Sequence, residues 1–287
     1  MKQRNRLPLS EYKSLASYEV KSENNPHFET QYIDEELLSL AIQFYNQYFG
    51  YFIHPIDREE ALMYADLGVR INADLWKSMM PMSHDKIEFF YKTTPLYFFH
   101  DILRFMDGIH RANFDKWTSE RDSIKHIDNV LDFAGGTGGY SIMFAKRGTK
   151  VTFVDSNKLQ SEWVKFVAFA LKLPITVKAS LDEVEGTFDG IIAQDVIEHV
   201  FDPVALINRL RSFSHKDGSS FMSASEMPCC GPEEFAPMHF KVVKDDKDII
   251  SFKYLDNYRL MDMTLAEHRW LMKENYNSIV SRNSVQG

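Results

Sequence analysis

The 287-residue chain is 44% hydrophobic and 26% charged, enough apolar material for a sizeable core and too ordinary a balance for a disordered or fibrous protein. Its formal net charge of −8 and pI near 5.7 argue against a nucleic-acid backbone as the main partner. The two cysteines, Cys229 and Cys230, are direct neighbours, which excludes a disulfide framework and gives no CxxC pair for zinc.

Residues 1–33 show no sustained periodicity and read as an N-terminal arm. Early positive charge there is not followed by the apolar run of a secretory signal, and no stretch reaches the ~20 apolar residues of a membrane span, so a cytoplasmic protein is expected. From Asp34 the pattern turns helical. Asp34 is placed to N-cap, Glu35 and Glu36 favour the positive end of the dipole, and Leu37, Ala41, Phe44, Tyr45 and Tyr48 recur at helical spacing until Gly50. Further helices are predicted at about 58–67, 70–79 and 84–107, the last interrupted near Pro95. Residues 34–126 thus form a mostly helical, aromatic-rich region. Its aromatic residues fit a packed core, or a lid that closes an apolar pocket, or a dimer surface.

Beyond Ile127 the rhythm becomes strand, glycine loop, helix. Strands are predicted at Val130–Phe133, Val151–Val154, Ile175–Lys178, Phe188–Ala193 and Ser219–Ser225. Helices fall at Gly138–Arg147, ended by Gly148, at about Lys158–Leu171, and from an Asp202 cap and Pro203 to about Phe213. The segment "FKYLDNYRLMDMTLAEHRWLMKENY" is expected to add one or two closing strands and a terminal helix. Strands alternating with such helices make an α/β domain with a parallel sheet over 127–287.

In such a sheet, ligands bind outside the carboxyl ends of the strands. The run "VLDFAGGTGGYSIMFA" puts Asp132 at a strand tip and Gly135, Gly136, Gly138 and Gly139 just beyond it. The next strand ends at Asp155, 19 residues past Gly136, close to the ~20 expected for an acid that accepts ribose hydroxyls. A dinucleotide fingerprint, G-x-G-x-x-G/A, fits poorly, because its third position falls on Ser141 and because Asp132 would repel a pyrophosphate. A cationic nucleoside suits the carboxylate better. Alternatives for single features are a bare tight turn for the glycines and a plain helix cap for Asp155.

"VLDFAGGTGGYS", "VTFVDSN", "FDGIIAQDVIEHVFDP" and "DGSSFMSASE" together resemble the class I S-adenosylmethionine-dependent methyltransferases, in the branch that includes the quinone-biosynthesis O-methyltransferases. The resemblance covers roughly 127–226. It implies a Rossmann-like sheet with helices on both faces and S-adenosylmethionine as methyl donor. It also implies a cofactor site of Asp132, Ala134, Gly135, Gly136, Gly138, Asp155, Ser156, Ser180, Leu181, Gln194 and Asp195. Ala134 stands where the family often has its first glycine, and Ser180 and Leu181 stand where an adenine-side acid is common. Tyr91 and Thr94, beside Pro95, are expected to reach this cleft from the helical region.

By the same resemblance His199 faces the methyl acceptor, and an imidazole of ordinary pKa near ~6.5 suits removal of its proton near neutrality. A loop-tying role for His199 is the competing reading. So is a metal set of Asp195, Glu198, His199 and His239, although no metal is expected. The expected activity is O- or N-methylation of a small molecule, with S-adenosylhomocysteine as product, no nucleic-acid or membrane partner, and a homodimer through the helical region as one assembly. A non-catalytic methyltransferase-like subunit and a nicotinamide-dependent oxidoreductase are the alternatives.

Overall fold

The computed structural model describes residues 34–50, 54–65, 84–94, 98–106, 114–115, 118, 127–194, 196, 199–200, 203–223, 240–244, 250–254, 262–263 and 279–282. Cys229 and Cys230, the expected helix at 70–79, the cap Asp202 and the expected terminal helix lie outside the described residues.

The centre of the molecule is a six-stranded sheet in the order β3-β2-β1-β4-β5-β9. It is built from β1 (Asn129–Phe133), β2 (Lys150–Val154), β3 (Ile175–Lys178), β4 (Phe188–Gln194), β5 (Ser214–Ser223) and β9 (Ile279–Arg282). The first five run parallel, and β9 closes the β5 edge antiparallel, with Phe221 opposite Val280. Val130, Leu131, Phe153, Ile191 and Ile192 are fully enclosed, as strands covered on both faces demand. The chain steps outward from β1 to β3 and then returns to β4 on the other side of β1. A topological switch point therefore lies between β1 and β4, and in open sheets of this kind ligands bind at the strands' carboxyl ends there.

Two helices follow the first two strands, α4 (Gly139–Lys146) after β1 and α5 (Lys158–Ala170) after β2; α6 (Pro203–Ser212) connects β4 to β5. The expected start of β5 at Ser219 is five residues late. The polar "SHKDG" segment falls between the expected helix and strand, yet Phe188 pairs with Ser214 before the register shifts and resumes at Gly190 opposite Ser219. Gly218 makes that irregularity possible, because a Cβ there would lie 2.9 Å from the Phe188 carbonyl oxygen. A second, three-stranded antiparallel sheet joins β6 (Phe240–Lys244), β7 (Ile250–Tyr254) and β8 (Asp262–Met263).

The helical region begins with α1 (Glu35–Phe49), capped as its sequence dictates: the Asp34 carboxylate accepts from the Leu37 amide at 3.0 Å. Its apolar face carries Leu37, Leu38, Ala41 and Phe44 onto α5, where Phe44 meets Trp163 and Phe166. The pattern predicted across 84–107 resolves into α2 (His84–Thr93) and α3 (Phe98–Met106), divided at Pro95. Proline lacks the amide needed to continue the helix and disfavours helical backbone in the residue before it. Phe98 of α3 packs edge-on against Trp163. Among the described residues, Phe44 and Phe98 of the helical region are therefore core shared with the sheet domain. Among the described residues no helix is long and apolar enough to cross a membrane.

Candidate active site

The glycine loop is shaped by close approaches as well as by backbone freedom. A Cβ on Gly135 would sit 2.7 Å from an Asp132 carboxylate oxygen and 2.8 Å from the Phe153 ring. Gly138 takes a left-handed φ of 73°, and a Cβ there would meet Val164 of α5 at 2.7 Å. Ala134 holds a φ of 51°, which explains why glycine is common at this place in the resembling family. Gly135→Ala is expected to lower stability by about 2–3 kcal/mol, a fall of about 5–10 °C in Tm, by displacing Asp132 or the Phe153 ring. A thermal melt beside wild type checks it.

Asp132 is buried, and its Oδ2 accepts from the Ser141 hydroxyl at 2.6 Å. Ser141, the residue that breaks the dinucleotide pattern, is thus the partner that satisfies the strand-tip carboxylate. Asp155 stands at the end of β2 with both oxygens engaged: Oδ2 accepts from the Gly136 amide at 3.0 Å and Oδ1 from the Asn157 amide at 2.7 Å. Each oxygen keeps a further lone pair for a hydroxyl donor. Burial pushes the Asp132 carboxyl up to about 6 against the pull of Ser141. It pushes Asp155 up to about 7 against the Asn157 and Gly136 amides, with Asp132 adding to the rise.

This arrangement discriminates between ligands. The Gly136 amide is spent on Asp155 and the Gly138 amide on the Gly135 carbonyl at 2.8 Å, so neither is directed at a pyrophosphate. When ionised, the two buried carboxyls beside the loop repel phosphate and attract a cation, and a cation in turn favours their ionised form. The site fits a nucleoside that bears positive charge and lacks phosphate.

The remaining expected residues gather around that loop unevenly. Ser180 precedes the 3₁₀ turn Leu181–Glu183, with Leu181 buried, at the carboxyl end of β3. The Asp155 amide donates to the Lys178 carbonyl at 3.2 Å and so holds this turn beside the acid. Ser156 is exposed. Gln194 ends β4 at the same edge of the sheet. Asp195, Glu198 and His239 lie outside the described residues, and no cluster of three or more potential metal ligands occurs among those described.

From the helical region, α2 brings Tyr91 onto the loop after β4, and its hydroxyl hydrogen-bonds His199 Nδ1 at 2.7 Å. The rings meet edge to face with centroids 5.3 Å apart. Thr94 is buried, and it enters through its backbone: Asn157 Nδ2 donates at 2.9 Å to both the Tyr91 and the Thr94 carbonyl oxygens. Asp101 of α3 overlies the loop, its Oδ2 3.6 Å from where a Gly136 Cβ would stand. Ser141, Asn157 and Asp101 are the site residues that sequence reasoning missed. For Asn157 the signal was present. The cap of α5 is Asn157, accepting from the Leu159 and Gln160 amides, and not Asp155.

A family profile described as a methyltransferase domain matches residues 98–275. A ubiquinone biosynthesis O-methyltransferase of Xanthomonas campestris pv. campestris (strain B100) is 32% identical over 102 residues, which cover 33% of this chain and 41% of the relative. Its counterpart from Xanthomonas axonopodis pv. citri (strain 306) shows the same identity and coverage. The chain thus spans about two fifths of the length of the curated relatives it matches. Among solved structures, an O-methyltransferase from a trans-AT PKS multienzyme of Brevibacillus brevis, in complex with S-adenosyl-L-homocysteine, is 19% identical. It covers 43% of this chain and 44% of its own, with a TM-score of 0.36. Because the matching profile spans more than half of its length, the chain belongs to the class I S-adenosylmethionine-dependent methyltransferases.

Proposed function

We propose that the protein transfers a methyl group from S-adenosylmethionine to an oxygen or nitrogen of a small-molecule acceptor, leaving S-adenosylhomocysteine. The observation that carries this reading is the Asp155 carboxylate, anchored by two backbone amides beside a glycine loop whose Gly136 and Gly138 amides are both engaged within the protein. The two hydroxyls of the donor's ribose are accepted by Asp155, and Asp132 favours the donor's positive charge from behind the loop. Ser180 and Leu181 border the adenine side, and Tyr91 and His199 border the acceptor side.

The donor supplies a methyl carbon already activated by an adjacent sulfonium. What remains for the chain is alignment, exclusion of water and removal of the acceptor's proton. His199 performs the last of these. For its Nε2 to accept a proton, the neutral ring must carry its hydrogen on Nδ1, and in that tautomer the Tyr91 oxygen, 2.7 Å away, is the acceptor that holds it.

Calorimetric titration with S-adenosylhomocysteine, followed by labelled-methyl transfer to a panel of phenols, carboxylates and amines, tests the reading. Heat of binding and one methylated acceptor are expected; tight NADH binding without binding of S-adenosylhomocysteine would overturn it. The burial of the two carboxyls adds a pH signature. Hydroxyl donors and a cation favour the ionised forms, so binding expels protons below about pH 7. S-adenosylhomocysteine affinity is expected to rise about tenfold from pH 6 to pH 8 and then level off. In the ligand-free protein the sign reverses. Both folded values lie above the ordinary 3.8, so these carboxyls' contribution to stability is full below that value and is lost as pH rises through about 6 and about 7.

A further inference from the structure

Asn157 is used more completely than a helix cap requires. Its Oδ1 accepts from the Leu159 amide at 3.0 Å and the Gln160 amide at 3.4 Å, and its Nδ2 donates at 2.9 Å to the Tyr91 and Thr94 carbonyls. Both donors and both lone pairs of a side chain only 4% exposed are therefore engaged. Its backbone amide is committed too, to Asp155 Oδ1 at 2.7 Å.

The partners on α2 are the ones that most need it. The Phe90 carbonyl is satisfied by the Thr94 amide at 3.0 Å, in the ordinary i to i+4 pattern. The Tyr91 carbonyl would be satisfied next, by the amide of residue 95, but that residue is proline and has none. Asn157, 66 residues further along the chain, supplies the missing donor and a second one for Thr94. Without it, the Tyr91 and Thr94 carbonyls would each lose a hydrogen bond at 2.9 Å, in a part of the molecule where Thr94 is buried. Tyr91, held by its backbone in this way, presents its hydroxyl to His199.

A continuous sequence of hydrogen bonds thus runs from the glycine loop through Asp155, Asn157 and Tyr91 to His199. We infer that Asn157 is a positioning residue that couples occupancy of the ribose site to the anchoring of α2 and to the placement of His199. The inference rests on the proposed cofactor and acceptor sites. A ligand on Asp155 stiffens the Asp155–Asn157 turn, and with it the clamp on α2. By linkage, a loosened clamp weakens the ligand by the same factor.

Asn157→Asp separates capping from clamping, since a carboxylate still accepts from Leu159 and Gln160 but cannot donate to two carbonyls. Asn157→Ser, which also caps and also lacks the amide donors, serves as the second variant if the first fails to fold. Hydrogen exchange is followed at 88–94 and at β1–β4, with and without S-adenosylhomocysteine, beside calorimetry of the same samples. In wild type the ligand should slow exchange at 88–94. In either variant that segment should exchange at least about tenfold faster without ligand, and the ligand should no longer slow it. Affinity should fall about tenfold, and β1–β4 should be unaffected. Exchange at 88–94 within twofold of wild type in a folded variant, with normal heat of binding, would overturn the clamp and leave the cofactor reading standing. Absence of binding heat in wild type would overturn the cofactor reading itself, and the coupling with it.

Discussion

Asp155→Ala is expected to weaken S-adenosylhomocysteine binding by about 10²- to 10⁴-fold, the largest effect of any single substitution at the cofactor site. Two hydroxyl donors to one carboxylate are each worth about 1.5–3 kcal/mol once the site is shielded from water, and alanine removes both. A second loss comes from the protein side. The Gly136 and Asn157 amides, which Asp155 accepts at 3.0 and 2.7 Å, would be left without that partner, and the loop and the start of α5 would lose their common anchor. Asp155→Asn distinguishes the two contributions. It keeps the shape and one acceptor oxygen but turns an amide nitrogen toward a backbone donor, so an intermediate affinity is expected. Calorimetry on the three proteins at pH 8, where the wild-type carboxyl is ionised, gives the comparison its cleanest form. Equal affinity for wild type and Asp155→Ala would sink the ribose assignment.

The parts of this site that could be read from the sequence are those set by local chemistry. Short apolar runs such as "VLDF" and "FDGIIA" become buried parallel strands because nothing else enclosed on two faces by helices fits so few residues. The glycine loop and Asp155 follow from the strand they end and the distance between them. What escaped was pairing between residues remote in the chain. Ser141 satisfies Asp132 across the loop, Asn157 reaches 66 residues back to Tyr91, and Tyr91 meets His199 across 108 residues. No periodicity or spacing encodes such contacts, since they arise only when α2 is laid against the sheet edge. Ser141 shows how a residue can mislead in this way. It looked like a defect in one ligand's motif and is the buried partner that another arrangement requires. Cap chemistry was ambiguous for a related reason. In "VDSNKLQ" both Asp155 and Asn157 are good caps, and only the geometry assigns the cap to Asn157, whose own amide donates to Asp155.

His199→Ala is expected to lower kcat by about 10²- to 10⁴-fold with an acceptor that must lose a proton, while S-adenosylhomocysteine affinity stays within about threefold of wild type. The division follows from position: His199 sits on the loop after β4, and its Nδ1 is tied to Tyr91 of α2 and not to the glycine loop. Tyr91→Phe keeps the ring that packs edge to face on the imidazole and removes only the hydroxyl. Its expected loss is smaller, about tenfold in kcat with little change in acceptor KM, because the ring remains in place but the imidazole loses the hydroxyl that holds its Nδ1. If the two residues act as one unit, the double variant should be no slower than His199→Ala alone. Additive losses would mean that Tyr91 acts independently, on the acceptor or on the fold of α2. Unchanged turnover in His199→Ala would reduce the pair to a structural tie between the helical region and the sheet, and would move the search for the base to the other side chains that border the crevice. An acceptor whose nucleophile is already unprotonated at neutral pH provides the matching control, since its methylation should be nearly indifferent to His199.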